Sequence, residues 1–278
     1  MNFKDKLTRA VASAGTPLMV GLDPDLRKIP DSLKTGKSEA EAVFSFCSAI
    51  IRLTEKKCIG YKLNLGFFEA IGAEGLGVFQ RVVNQIPKEK IILADAKRGD
   101  IGNTAERYRD AFFETFGCDC ITLNPLMGTD SLQPFLGRGD KAVFVLALTS
   151  NSGADDLLLQ RLEDGRLVCE SIAEQCANLD RNMPGTVGMV VGATRVHQLS
   201  SVLEKFPDAL LLIPGIGAQG GDPEELLTVL KNHRGQAIPV ISRAIIYAGT
   251  DENWESDVTR ATENYAEIFS LLTGVVHD

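Results

Sequence analysis

Eight short aliphatic runs, each followed by polar or glycine-rich residues and then an amphipathic stretch, constrain this chain more than any other feature. The runs are Pro17–Leu22, Ile59–Leu63, Lys90–Ala94, Cys120–Leu123, Val143–Leu148, Gly188–Val191, Ala209–Ile213 and Pro239–Ser242. Among them lie segments of helical period: Glu39–Glu55, Gly75–Gln85, Thr104–Phe116, Leu167–Leu179, Val196–Lys205, Pro223–His233 and Asp257–Leu272. Continuous aliphatic strands alternating with helices indicate a parallel sheet covered on its outer face. Eight such units predict closure into a (β/α)8 TIM barrel, a fold that needs roughly 250 residues. The 278-residue chain therefore reads as one barrel domain spanning its whole length. A doubly wound open sheet is the structural alternative. It would want a GxGxxG turn after the first strand, where this chain has Gly21-Leu22-Asp23-Pro24-Asp25.

Composition narrows the partners. A net charge of −8 argues against general nucleic-acid binding and favours a cytoplasmic protein with a small-molecule ligand. No apolar run approaches the roughly 18 residues that would cross a bilayer. The start, Met1-Asn2-Phe3-Lys4-Asp5-Lys6, is too polar for a signal peptide. The six cysteines form no CxxC pair and the chain has three histidines, so neither zinc nor disulfides are expected. Cys118 and Cys120 read as core packing. Asn103 followed by Glu106 reads as a capping box opening the third outer helix. Two segments, 27–41 and 150–167, exceed what a minimal barrel requires. They read equally as solvated decoration or as lid and subunit contacts, with Asp164-Gly165 turning a small hairpin.

In such barrels chemistry gathers where strands end, on the face built by the βα loops. Those positions hold Asp23 after strand one, Lys62 and Asn64 on strand two, and Asp95 and Lys97 on strand three. Next come Asn124 after strand four, Thr149-Ser150-Asn151 after strand five, Pro214 to Gly221 after strand seven, and Ser242-Arg243 after strand eight. Asp95 and Lys97 lie two apart, so on a strand they share a face. Carboxylates alternating with ammonium groups keep each lysine charged and oriented. A cationic lysine fixed beside a reacting carbon can stabilise a carbanion and then protonate it. The competing reading of Asp95, Lys97, Arg98 and Asp100 is a solvated, salt-bridged loop. Glycines at 215, 217, 220 and 221 let backbone N–H groups approach an anion, and Arg243 ending the next strand completes a phosphate site.

The run Asp95-Ala96-Lys97-Arg98-Gly99-Asp100-Ile101 with Thr104 resembles the signature of the orotidine 5′-phosphate decarboxylase family. Gly21-Leu22-Asp23-Pro24-Asp25, Lys62-Leu63-Asn64-Leu65-Gly66-Phe67-Phe68-Glu69, Thr149-Ser150-Asn151, Pro214 to Gly221 and Ser242-Arg243 occur in that family's order. The LDPD and TSN motifs are similar to those of its longer bacterial branch. Ser152 and Gly66 depart from that branch's usual residues without touching the charged set. The resemblance implies cofactor-free, metal-free decarboxylation of orotidine 5′-phosphate to UMP, with Lys62, Asp95, Lys97 and Asp100 as the charged tetrad and Lys97 as proton donor to C6. It further implies that Asp23 and Lys62 hold ribose hydroxyls and that Asn64, Pro214, Gly220 and Ser242 line the substrate site. Thr149 or Ser150 would meet the pyrimidine edge, and Gln219 and Arg243 the 5′-phosphate. Asp100 and Thr104 would reach the other subunit's site in a homodimer. A magnesium-dependent 3-keto-sugar-phosphate decarboxylase on the same barrel and a non-catalytic phosphometabolite-binding barrel are the alternative functions.

Overall fold

A computed structural model of the chain describes residues 1–217, 220–249 and 251–275. Eight parallel strands close into a barrel in sequence order. They are β1 (Met19–Leu22), β2 (Gly60–Asn64), β3 (Ile91–Arg98), β4 (Cys120–Leu123), β5 (Ala142–Leu148), β6 (Thr186–Val191), β7 (Leu210–Ile213) and β8 (Ala237–Ile241). Closure is made by β1 against β8, with Met19 opposite Val240. The predicted (β/α)8 barrel is the observed fold, and every aliphatic run of the sequence became one of its strands.

Two apolar layers hold it together. Outward-facing strand residues such as Val20, Tyr61, Ile121 and Val143 pack beneath the outer helices. The barrel interior is filled by Met19, Ile91, Leu93, Phe144, Leu212 and Val240 among others. A helix over Phe3–Ala14 closes the bottom, with Phe3 and Leu7 wholly buried against that interior. Its first turn is capped by Asn2, whose side chain accepts the Asp5 N–H at 2.8 Å. Lys6 then reaches both oxygens of Asp119 at 2.7 Å. The Asp119 carboxylate also accepts the Ile92 N–H at 2.9 Å, so the plug is tied directly to β3.

One local expectation changed and another was met. The helix after β3 spans Gly102–Arg109, with Ile101 at its boundary and no side-chain cap, so Asn103 and Glu106 form no capping box. The Asp100 carboxylate takes the Ile101 N–H instead, at 2.8 Å, and the helix boundary falls two residues before Asn103. The hairpin at Asp164-Gly165 is present: Arg161 bridges Leu167 antiparallel, and Gly165 turns with φ +86°. Segments 27–41 and 150–167 also carry short helices, Asp31–Lys34 and Ala154–Leu157. No helix among the described residues is long and apolar enough to cross a membrane.

Candidate active site

The barrel's upper mouth is a cavity of about 280 Å³, and its lining is set by strand ends. Its floor is apolar: Leu146, Val190, Leu212 and Val240, the top layer of the barrel interior. Polar groups rise around that floor. Asp23, Lys62, Asn64, Asp95, Lys97, Thr149, Ser150, Pro214, Ser242 and Arg243 all line it, ten of the residues singled out from sequence.

The charged groups form a connected array. Lys62 is almost fully buried and donates to Asp95 Oδ2 at 2.8 Å. Lys97 Nζ donates to Asp95 Oδ1 at 2.6 Å. Lys62 Nζ also stands 3.8 Å from Asp23 Oδ1. Burial alone would favour a neutral Asp95, but the Lys62 and Lys97 ammonium groups outweigh it and hold the carboxyl well below the usual carboxylate range. Burial likewise opposes charge on Lys62; Asp95 and Asp23 together reverse that and raise its pKa. Asp95 and Lys62 therefore stay charged by mutual support. Asp95 is buried and does not fit the solvated-loop reading of this run, whereas Lys97 is half exposed.

Local backbone shape makes the array. Gly21 on β1 leaves no side chain toward β8; a Cβ there would meet the Ser242 Cβ at 2.7 Å. That close approach draws Ser242 and Arg243 over the same mouth. On β3, Lys97 has φ +48°, the one non-glycine residue in the left-handed region among those described. Tyr247 fixes the end of β1: its hydroxyl donates to the Asp23 carbonyl at 2.9 Å and accepts the Asp25 N–H at 2.6 Å. Asp23 Oδ1 and Ser242 Oγ are buried with no hydrogen-bond partner among the described residues. Unpartnered buried acceptors and donors in a cavity wall are sites where ligand hydroxyls gain most.

Other expected residues lie elsewhere. Arg98 turns away from the cavity, pairs with Glu69 and sits over the Tyr108 ring at 5.4 Å, anchoring the loop. Asp100 and Thr104 do not line the cavity of this chain, and Thr104 is exposed. Gly220 has φ +94° and gives its N–H to the Gly217 carbonyl at 2.8 Å, so that amide serves the loop's own turn. Gly215 and Ile216 line the mouth in its place. Gln219 lies outside the described residues. Sequence reasoning passed over Thr122 and Tyr247. Thr122 had a signal, a polar residue inside the apolar run Cys120-Ile121-Thr122-Leu123; Tyr247 had none.

Fold and site together define a barrel protein whose mouth sets an array of alternating charges over an apolar floor. The particular lineage follows from comparison: residues 16–255 match the model of the orotidine 5′-phosphate decarboxylase / HUMPS family, and the chain belongs to it. The orotidine 5′-phosphate decarboxylase of Roseiflexus castenholzii is 42% identical over 277 residues, covering 99% of this chain and 100% of the relative. That of Herpetosiphon aurantiacus is 42% identical over 246 residues, 88% of this chain and 90% of the relative. Among solved structures, the OMP decarboxylase of Leishmania donovani superposes with a TM-score of 0.83 at 33% identity, covering 99% of this chain and 100% of that one.

Proposed function

We propose that this protein is a carboxy-lyase that converts orotidine 5′-phosphate to UMP and CO2, a step of pyrimidine biosynthesis. The observation that carries the reading is the Lys62–Asp95–Lys97 array with Asp23, gathered at the ends of β1 to β3 over an apolar floor. Arg243 and the Gly215-Ile216 turn, on the adjoining rim after β8 and β7, suit the 5′-phosphate, with Gln219 as the expected second contact. Asp23 and Lys62 suit ribose hydroxyls, since Asp23 Oδ1 accepts no hydrogen bond among the described residues. Asn64 and Ser242 complete the wall, and Thr149 or Ser150 meets the pyrimidine edge.

In this arrangement Lys97 faces C6 and Asp95 lies beside the substrate carboxylate. The bond from C6 to the carboxylate breaks, CO2 leaves, and the electron pair stays on C6 in the ring plane. The Lys97 ammonium stabilises that pair and then transfers its proton to C6, giving UMP. Asp95, held ionised, adds repulsion to the ground state that the departing CO2 relieves. Binding the remote phosphate supplies energy expressed at the reacting carbon.

The activity test is the pyrimidine absorbance of orotidine 5′-phosphate mixed with purified protein, with and without a chelator. Conversion to UMP at the same rate in both is expected. No conversion by folded protein, or conversion that stops with chelator and returns with magnesium, would overturn the reading.

We further infer a homodimer in which Asp100 and Thr104 complete the partner's site. Loops after β3 and β4 are joined by the Asn124 N–H to the Arg98 carbonyl at 2.8 Å. They present Ile101, Leu126 and Met127, each about half exposed or more, beside Asp100. Exposed apolar side chains on two joined loops favour association. Two-fold symmetry then gives a sharp expectation. Lys97→Ala and Asp100→Ala chains refolded together should regain about one quarter of wild-type activity, because half the dimers are mixed and each carries one intact site. Activity that stays at the sum of the two single variants would place Asp100 outside the partner's site. Six buried, free thiols suit a reducing compartment, and we place the enzyme in the cytoplasm.

A further inference from the structure

We propose that Thr122 is a positioning residue for this reaction, one that holds Lys97 by its backbone while Asp95 holds its ammonium group. The inference rests on the reading of Lys97 as the group that protonates the substrate.

The β3–β4 ladder slips at this point. Ala94 pairs with Ile121 and Arg98 with Leu123, so Asp95, Ala96 and Lys97 face Thr122 alone. A bulge of this kind re-aims side chains and removes backbone groups from the ladder. The Lys97 N–H accordingly finds no strand carbonyl; it donates to Thr122 Oγ1 at 2.9 Å. The Thr122 hydroxyl in turn donates a hydrogen bond to Asp95 Oδ1 at 3.0 Å. That same oxygen receives the Lys97 ammonium at 2.6 Å. The result is a closed ring: Lys97 amide, Thr122 hydroxyl, Asp95 carboxylate, Lys97 ammonium.

Each end of the lysine needs this. Its φ of +48° is a conformation that a residue with a Cβ adopts only when its surroundings fix it. Its side chain is half exposed, so packing does little to restrict four rotatable bonds. Thr122, by contrast, is 1% exposed and β-branched, with a single stiff rotor. It is a rigid post that offers one acceptor and one donor where the bulge requires both. Valine would fill the same space and offer neither.

The test measures kcat and KM for wild type, Thr122→Val and Thr122→Ser with orotidine 5′-phosphate, and adds a crystal structure of Thr122→Val. We expect Thr122→Val to lose kcat by about 10- to 100-fold with KM held within about threefold, the cost of misplacing a reacting group. Thr122→Ser should recover most of that loss. In the crystal, Lys97 should leave the left-handed region or its ammonium should leave Asp95. A Thr122→Val enzyme with wild-type kcat, an equal loss in Thr122→Ser, or an unmoved Lys97 in the crystal would each overturn the assignment. Wild-type protein inactive on this nucleotide would sink the proposed function instead, and the crystal structure would still decide whether Thr122 sets the Lys97 geometry.

Discussion

Lys97→Ala is expected to leave a folded barrel whose turnover of orotidine 5′-phosphate falls by at least about 10⁴-fold. Two effects disappear together: electrostatic stabilisation of the C6 carbanion, about 10²- to 10³-fold for a single well-placed donor, and proton delivery, about 10²- to 10⁴-fold. Stability should hardly change. The Lys97 side chain is half exposed, and ion pairs in such settings contribute about 1 kcal/mol or less. Asp95 keeps Lys62 at 2.8 Å and Thr122 at 3.0 Å, so its carboxylate remains ionised and satisfied. Circular dichroism and thermal melting would establish the fold, and prolonged incubation at high enzyme concentration would read the residual rate. Near-wild-type turnover would remove Lys97 from its assigned role.

Much of this site was legible because a barrel of this kind turns sequence order into geometry. Once eight aliphatic runs are recognised, the residue after each one belongs to a common mouth, and Asp23, Lys62, Asp95, Ser242 and Arg243 converge without any further information. β4 ran over the expected residues, Cys120–Leu123. β3 ran on to Arg98, four residues past its aliphatic run. The sequence reading puts Asp95 and Lys97 at the end of that strand, but hydrophobic periodicity carries no sign of a bulge. That is also why Thr122 escaped notice: its role depends on a register slip between two strands, which neither strand reveals alone. The N-terminal plug was missed for another reason. Phe3, Leu7 and Ala10 have helical spacing, but the charges among them, Lys4, Asp5 and Lys6, mask the stripe. Arg98, given no role in the site by the sequence reading, lies apart from it. Placed within a catalytic signature, it packs on Glu69 and Tyr108 because the left-handed turn at Lys97 breaks the strand's alternation.

Asp95→Asn should damage activity and stability at once, unlike Lys97→Ala, and the difference identifies Asp95 as the centre of the array. Its two oxygens receive Lys62, Lys97 and Thr122. Neutralising it leaves the Lys62 ammonium, 7% exposed, with Asp23 at 3.8 Å as its remaining counter-charge. Breaking a buried pair on one side costs about 3 to 5 kcal/mol. Residual solvent at the cavity mouth favours the lower figure, which corresponds to a fall in Tm of roughly 6 to 12 °C for a chain of this size. The pH window follows from the signs. Asp95, with its pKa lowered in the fold, contributes stability above the ordinary value of 3.8, and that contribution is lost as pH falls through its folded value. Lys62, with its pKa raised, contributes below 10.5 and loses that contribution as pH rises through its folded value. At neutral pH both contributions are in force, so melting at pH 7 should show the full penalty. Adding Lys62→Met to Asp95→Asn removes the stranded charge and should restore most of the lost Tm, while turnover stays at least about 10³-fold down because Lys97 has lost its anchor. A double variant no more stable than Asp95→Asn alone would mean that the penalty arises from lost hydrogen bonds to Thr122 and not from the buried ammonium.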